Sequence, residues 1–176
     1  MLTPVHLTLV DGPTPELVSG LADVLVDCVH GGASVGFLAP LSVKHAREWW
    51  TAALTSRDTL TWAARADDGA VLGCVRLQLG TPANGRHRAE VSKLLVHRRA
   101  RGAGIATTLM GHAEAEAARR RRTLLLLDTQ TGSPAERLYA RHGWSVVGII
   151  DDYAALPDGR LAATTIMTKR LGGHQR

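Results

Sequence analysis

Arg99-Ala100-Arg101-Gly102-Ala103-Gly104 separates a β-rich apolar run, Val91–Val96, from a run with helical periodicity. In the second run Ile105, Leu109, Ala113 and Ala117, with Ala106 and Met110 beside them, mark one helix face. A glycine-rich turn that opens a helix gathers several backbone N–H groups into one concavity, and the helix dipole adds partial positive charge there. Such a site suits a pyrophosphate, and Arg98, Arg99 and Arg101 set full charges beside it. Two carboxylates flank the same region. Glu90 interrupts the apolar pattern of the strand that feeds the loop; it can accept a proton, face solvent, or pair with Arg88 or Lys93. Asp128 follows the apolar run Leu124–Leu127, at a strand end where ligands collect in open α/β sheets. The competing role for Asp128 is to cap the turn near residues 129–131.

Other chemistries are poorly provided for. Ser34, Ser42 and Ser133 lack a nucleophile-elbow setting. The eight histidines form no His-x-x-x-His pair and join neither cysteine at metal-ligand spacing, so no metal is expected. Cys28 and Cys74 make no disulfide framework and read as reduced thiols. His87 stands in a turn, where it either lines a pocket or does nothing more.

The elements that must position these residues follow from pattern and punctuation. Val5–Val10 reads as a strand. Thr14-Pro15-Glu16 starts a helix to about His30, ended by Gly31-Gly32. After a loop carrying Phe37 and Leu38, Ser42 caps a second helix through Ser56, with Trp49, Ala53 and Leu54 facing inward. Thr59–Ala66 and Val71–Leu79 are strands joined at Asp67-Asp68-Gly69. A turn at residues 81–86 precedes a strand from about Arg88 to Val96. Alternation puts Glu90, Ser92, Leu94 and Val96 on one face of it unless a bulge intervenes, and no glycine in the strand marks one. Leu124–Leu127 reads as a strand covered on both faces. Gly132-Ser133-Pro134 starts a short helix holding Leu138 and Tyr139, which ends at Gly143. Ser145–Ile150 and Leu161–Lys169 are strands around Pro157-Asp158-Gly159.

The resulting order, βααβββαβαββ, is that of an α/β layer fold in one domain, residues 1–171, with a frayed tail at 172–176. A chain of 176 residues can bury a sizeable core, and 45% hydrophobic with 21% charged residues is a globular balance. No apolar run approaches the roughly 20 residues that span a bilayer. The first ten residues lack the pattern of a secretory signal, and a cytoplasmic location is expected. A net charge of +5 raises the question of nucleic acid, but aromatic residues are only 4% of the chain and no RNA-binding signature is present. An anionic cofactor accounts for Arg98–Arg101 more economically. Arg119–Arg122 read as the solvated end of a helix whose dipole they complement.

The spacing Arg99-x-x-Gly102-x-Gly104 resembles the acyl-CoA pyrophosphate loop of the GNAT superfamily of N-acetyltransferases, and the element order matches that fold over nearly the whole chain. Leu94-Leu95-Val96 is similar to the family's cofactor-contacting strand. Ser133–Trp144 is similar to its helix ending in Tyr-x-x-x-Gly-aromatic, with Ser133 where asparagine is common and Trp144 where phenylalanine is usual. Within the family, residues 87–91, 127–129 and 157–161 look most like the tabtoxin-resistance acetyltransferase type.

The resemblance implies a mixed central sheet of about seven strands with helices on both faces. It implies acetyl-CoA held by Leu94, Leu95, Val96, Arg99, Arg101, Gly102, Ala103, Gly104, Ile105, Ala106, Ser133 and Ala135. It implies carbonyl polarisation by a backbone N–H near Leu95, and Tyr139 as the acid that protonates the departing thiolate; on pattern alone Tyr139 is as well a core aromatic. An ammonium with a pKa of about 10.4 is neutral in about one molecule in 10³ at pH 7, a cost of roughly 4–5 kcal/mol, so a positioned carboxylate is valuable. Glu90 is the first candidate base, and Asp128 shares that role or binds the substrate ammonium. Phe37, His87 and Asp152 are candidates for the acceptor pocket. The implied activity is direct acetyl transfer to the primary amine of a small amino-acid-like, antibiotic-like or toxin-like acceptor. The alternatives are a protein N-terminus or lysine as acceptor, or a CoA-binding regulatory module with little turnover. Neither nucleic acid nor membrane is expected as a partner; a homodimer is compatible with the prevalence of two-fold assemblies.

Overall fold

Pro15 is the first residue of a helix because Thr14 Oγ1 accepts from Leu17 N at 3.4 Å and satisfies one of the N–H groups that every helix leaves open. The same device starts two more helices: Ser42 accepts from His45 N, and Ser133 from Glu136 N, both at 3.1 Å. Among residues 5–172, which the computed structural model describes, the order is β1 (His6–Leu9), α1 (Pro15–His30), α2 (Val43–Ala53), β2 (Thr59–Arg65), β3 (Val71–Leu79), β4 (Arg88–Val96), α3 (Ile105–Arg119), β5 (Leu124–Gln130), α4 (Pro134–Arg141), β6 (Ser145–Ala155) and β7 (Leu161–Arg170). Part of the tail expected to fray, residues 173–176, lies outside the described residues.

The strands form one seven-stranded sheet in the order β1-β2-β3-β4-β5-β7-β6. Neighbours are antiparallel except β4 and β5, which are parallel and joined through α3. Two apolar cores cover the two faces. One packs α1 and α2 around Leu21, Leu25 and Trp50; the other packs α3 and α4 around Leu109, Met110, Ala113 and Tyr139. This is the α/β architecture expected, with helices on both faces.

Several local expectations are corrected. Helix α2 stops at Ala53, and the tryptophan it buries fully is Trp50, while Trp49 is half-buried. In β5 only Leu125 and Leu127 are buried; Leu124 and Leu126 point to a face that the helices leave partly open. That strand continues to Gln130, so Asp128 lies inside it, opposite Ile166. β6 runs five residues further than expected and forms the sheet edge, with Val146, Val147, Ile149, Ile150 and Tyr153 exposed. The arginines after α3 are not simply solvated: Arg119 and Arg120 both bind the buried Glu116 carboxylate, the latter at 2.6 Å.

The decisive irregularity is in β4. Cys74 pairs with Leu95 and Arg76 with Ser92, so Val75 alone opposes both Lys93 and Leu94. Lys93 takes φ +50, the left-handed region that non-glycine residues rarely enter. This β-bulge reverses the alternation. Ala89 and Val91 belong to the α3-side core, whereas two positions after the bulge Leu95 belongs to the α1-side core. Glu90 and Leu94 therefore do not share a face, contrary to strict alternation. The glycine that accommodates the bulge sits on the neighbouring strand: a Cβ at Gly73 would come within 2.6 Å of Leu95 O.

Candidate active site

Parallel pairing of β4 with β5 covers only Arg88–Glu90 against Leu124–Leu126. Beyond Glu90 the strands part, and a cleft of about 770 Å3 opens between them. Its walls include Val91–Val96 of β4, Asp128–Gln130 of β5, the start of α3, Ser133, Ala135 and Tyr139 from α4, and the loop after α1. Backbone N–H and C=O groups of β4 on the β5 side lose their strand partner here, which leaves them for a ligand.

At one end of the cleft lies the glycine loop. Gly102 has φ +79 and Gly104, the N-cap of α3, has φ +78, conformations in which a Cβ is strained. No side chain caps α3, in contrast with the helices capped by Thr14, Ser42 and Ser133. Its first-turn N–H groups thus have no intrahelical acceptor and face the cleft mouth with the positive end of the dipole. Arg101, Gly102, Gly104, Ile105 and Ala106 line the cleft; Arg99 and Ala103 are on the same loop but do not. Arg98 is turned away: Asp27 accepts from its backbone N at 2.8 Å and its Nε at 2.9 Å. The charge beside the cradle is therefore smaller than the three arginines suggested. The Asp27 pKa, raised by burial, is lowered further by those hydrogen bonds and by His97, and is below the ordinary value on balance. Arg101 is held against β4 by its Nε donating to Val96 O at 3.2 Å. The free thiol of Cys28, also at the cleft wall, donates to the same carbonyl, and burial pushes its pKa up.

Asp128 and Tyr139 line the cleft where β4 and β5 separate; Glu90 does not line it and is tied to them through the Asp128 charge. Desolvation raises the Glu90 pKa, the Asp128 charge adds to that, and Lys93 opposes both. Tyr139 is buried, and burial together with the Asp128 charge pushes its pKa up, so its phenol stays protonated at neutral pH. The Tyr139 ring packs beside Trp144 at 6.1 Å. Trp144 Nε1 donates to Glu114 Oε1 at 2.9 Å, and Lys169 Nζ donates to Glu114 Oε2 at 2.6 Å and to His142 O at 2.7 Å. This network fixes the end of α4 and with it the tyrosine.

The acceptor-pocket candidates fare unevenly. Phe37 sits edge-on to Trp49, ring centres 5.4 Å apart, over the same region as Lys93. Asp152 lies in a second irregularity, where Ile150 to Ala154 of β6 spans only Thr164 to Ala162 of β7; its φ is +51, and its neighbour Tyr153 lines the cleft. His87 is at the closed end of the sheet, where its carbonyl accepts from Thr123 N at 2.7 Å, and does not line the cleft. Sequence reasoning passed over Arg76, took Lys93 only as an ion-pair partner for Glu90, and took Trp49 only as a core residue. The signal available was a cation inside each of two apolar strand patterns, Val91–Val96 and Val71–Leu79.

A family model described as the Acetyltransferase (GNAT) family matches residues 32–144. The fold is similar to that of a ribosomal-protein-alanine N-acetyltransferase from Brucella melitensis, at 22% identity over 93% of this chain and 99% of that one, TM-score 0.76. It is similar to a GCN5-related N-acetyltransferase from Kribbella flavida, at 22% identity over 94% and 98%, TM-score 0.75. It is also similar to a phosphinothricin acetyltransferase from Sinorhizobium meliloti in complex with AcCoA, at 17% identity over 98% and 90%, TM-score 0.77. At these identities the likeness is one of fold. One of these neighbours is named for a protein acceptor and one for a small molecule, so the fold does not select between them.

Proposed function

Because the chain belongs to the acetyltransferase (GNAT) family, we propose that it moves an acetyl group from acetyl-CoA directly to the primary amine of a small amino-acid-like acceptor. As a family member it is an acetyl-CoA-dependent N-acetyltransferase. The observation that carries the finer reading is the placement of Asp128 and Tyr139 in the cleft where β4 and β5 part, with Glu90 near enough to feel the Asp128 charge and an uncapped helix N-terminus at the cleft's other end.

The residues fit the donor. Left-handed glycines and the open α3 N-terminus suit its pyrophosphate, and the edge of Leu94–Val96, which has no β5 partner and is taken only at Val96 O, suits its amide-bearing arm. Acetyl-CoA supplies the acyl group as a thioester. Glu90, whose raised pKa makes it a better proton acceptor than an ordinary glutamate, takes the proton from the acceptor ammonium, directly or through water. Asp128 holds that ammonium and keeps the Glu90 pKa up. Tyr139 Oη, protonated and buried, donates to the departing sulfur. Leu95 itself pairs with Cys74 of β3, so polarisation of the carbonyl falls to the neighbouring N–H groups of the bulged segment. Resemblance to the tabtoxin-resistance type and the phosphinothricin-acetylating neighbour support a small acceptor. A single domain, residues 1–171, accounts for all these parts.

An amine panel that includes peptide N-termini, run on wild type beside Glu90→Gln at pH 6–9, tests the assignment. A loss of kcat/KM of about 10²–10⁴-fold on the best acceptor is expected. Full kcat/KM in the variant across that range removes Glu90 as the base.

A further inference from the structure

The acceptor side of the cleft holds a cation that proton transfer does not use. Lys93 leaves β4 at the bulge, in a backbone conformation that non-glycine residues rarely adopt. It lands in an aromatic corner. Its Nζ is 5.3 Å from the Trp49 ring centre and 6.0 Å from that of Phe37. The backbone of the loop after α1 closes over it, so that a Cβ at Gly36 would lie 3.7 Å from Nζ. A second cation, Arg76, stacks on the same indole at 5.5 Å, but its guanidinium is engaged, donating to Ala53 O at 2.9 Å and to Thr61 Oγ1.

Among the described residues no carboxylate forms an ion pair with Lys93. Glu90 and Asp128 act on it only through their fields, while burial and Arg76 favour its neutral form. A half-buried ammonium with a cationic neighbour and no direct counter-ion gains most from an anion brought by a ligand. Glu90 and Asp128, both exposed, are near enough to Lys93 to act on its charge, and Asp128 lines the same cleft. We infer that Lys93 anchors a carboxylate of the acceptor, so that the pocket takes an amino acid with its amine at Glu90 and Asp128 and its acid at Lys93, against the Phe37–Trp49 corner. This inference rests on the small-acceptor reading above and adds to it a charge requirement.

The test is a matched panel: the common amino acids and, for each, its amide and the amine left by decarboxylation. It is assayed with wild type, Lys93→Met and Lys93→Arg, with KM for acetyl-CoA as the check on the fold. Wild type is expected to prefer the acids. In Lys93→Met the ratio of kcat/KM for acid over decarboxylated amine falls about 10–100-fold, chiefly through KM of the acid, and Lys93→Arg restores most of it. Wild type using amides and amines as well as acids overturns the anchor while leaving the small-acceptor reading intact. A parallel loss on acids and amines in Lys93→Met also overturns it, because a merely structural lysine would give that result. Turnover of peptide N-termini with none of the free compounds used removes the small-acceptor reading and the anchor with it.

Discussion

The two ends of the cleft are built from different kinds of sequence. The proposed donor end centres on one continuous stretch, Leu94 to Ala106, in which backbone N–H groups, two left-handed glycines and a helix start make most of the surface, with Ser133 and Ala135 beside it. The proposed acceptor end draws Lys93 and Asp128 from the cleft wall and Phe37, Trp49, Arg76 and Glu90 from beside it, five separate elements and connections in which side chains make the surface. A backbone cradle tolerates many side chains but few backbone conformations. A side-chain pocket has the opposite tolerance. The donor end is thus suited to a constant ligand, and the acceptor end to one that changes between relatives with the same fold.

That contrast can be broken by substitution. After Glu90→Gln, the largest expected effect is also at the junction: Tyr139→Phe lowers kcat about 10–10³-fold with little change in KM for acetyl-CoA, as steady-state kinetics would show. An unchanged kcat would leave Tyr139 a packing residue and move the junction to the carboxylates alone. Next is the cradle itself. Gly104→Val forces a branched side chain to φ +78 and raises KM for acetyl-CoA about 5–100-fold while KM for the acceptor holds. Equal rises in both would mean that the two ends are not separable.

A smaller effect separates the charges at the acceptor end. The Asp128 charge raises the Glu90 pKa and Lys93 lowers it, so the acid limb of kcat/KM against pH moves down in Asp128→Asn and up in Lys93→Met. Shifts in the same direction for both variants would exclude Glu90 as the titrating group. The smallest effect is thermodynamic and lies behind the cradle. Asp27→Asn releases Arg98 and costs about 1 kcal/mol near neutral pH in urea unfolding. Because the Asp27 carboxylate is favoured in the folded state, this contribution is complete above the unfolded carboxyl pKa of about 3.9. It is lost as pH falls through the lower folded value, so the deficit of the variant should shrink in acid.

Much of the fold was legible because its signals are local. Thr14, Ser42 and Ser133 announce helix starts by bonding three residues ahead, and Asp67-Asp68-Gly69 and Pro157-Asp158-Gly159 turn the chain within a few residues. The β4 bulge was not legible, because its accommodating glycine, Gly73, is on another strand. Trp49 and Trp50 could not be sorted by periodicity, since Trp49 with Ala53 and Trp50 with Ala46 both keep helical spacing, and only packing chose Trp50. Arg98 looked like a phosphate ligand for a related reason: its partner Asp27 is 71 residues away.

By itself the sequence determined the donor cradle, since glycine spacing, a strand before it and an uncapped helix after it are interactions along the chain. It also pointed to Glu90 and Asp128 through strand order, whereas Tyr139 rested on the family resemblance. Only the tertiary structure decided that β4 and β5 part after Glu90, that Lys93 turns into an aromatic corner, and that His87 stays at the closed end. Backbone conformation is written in neighbouring residues, whereas a side-chain pocket depends on which distant segments share the space, and that is fixed by packing.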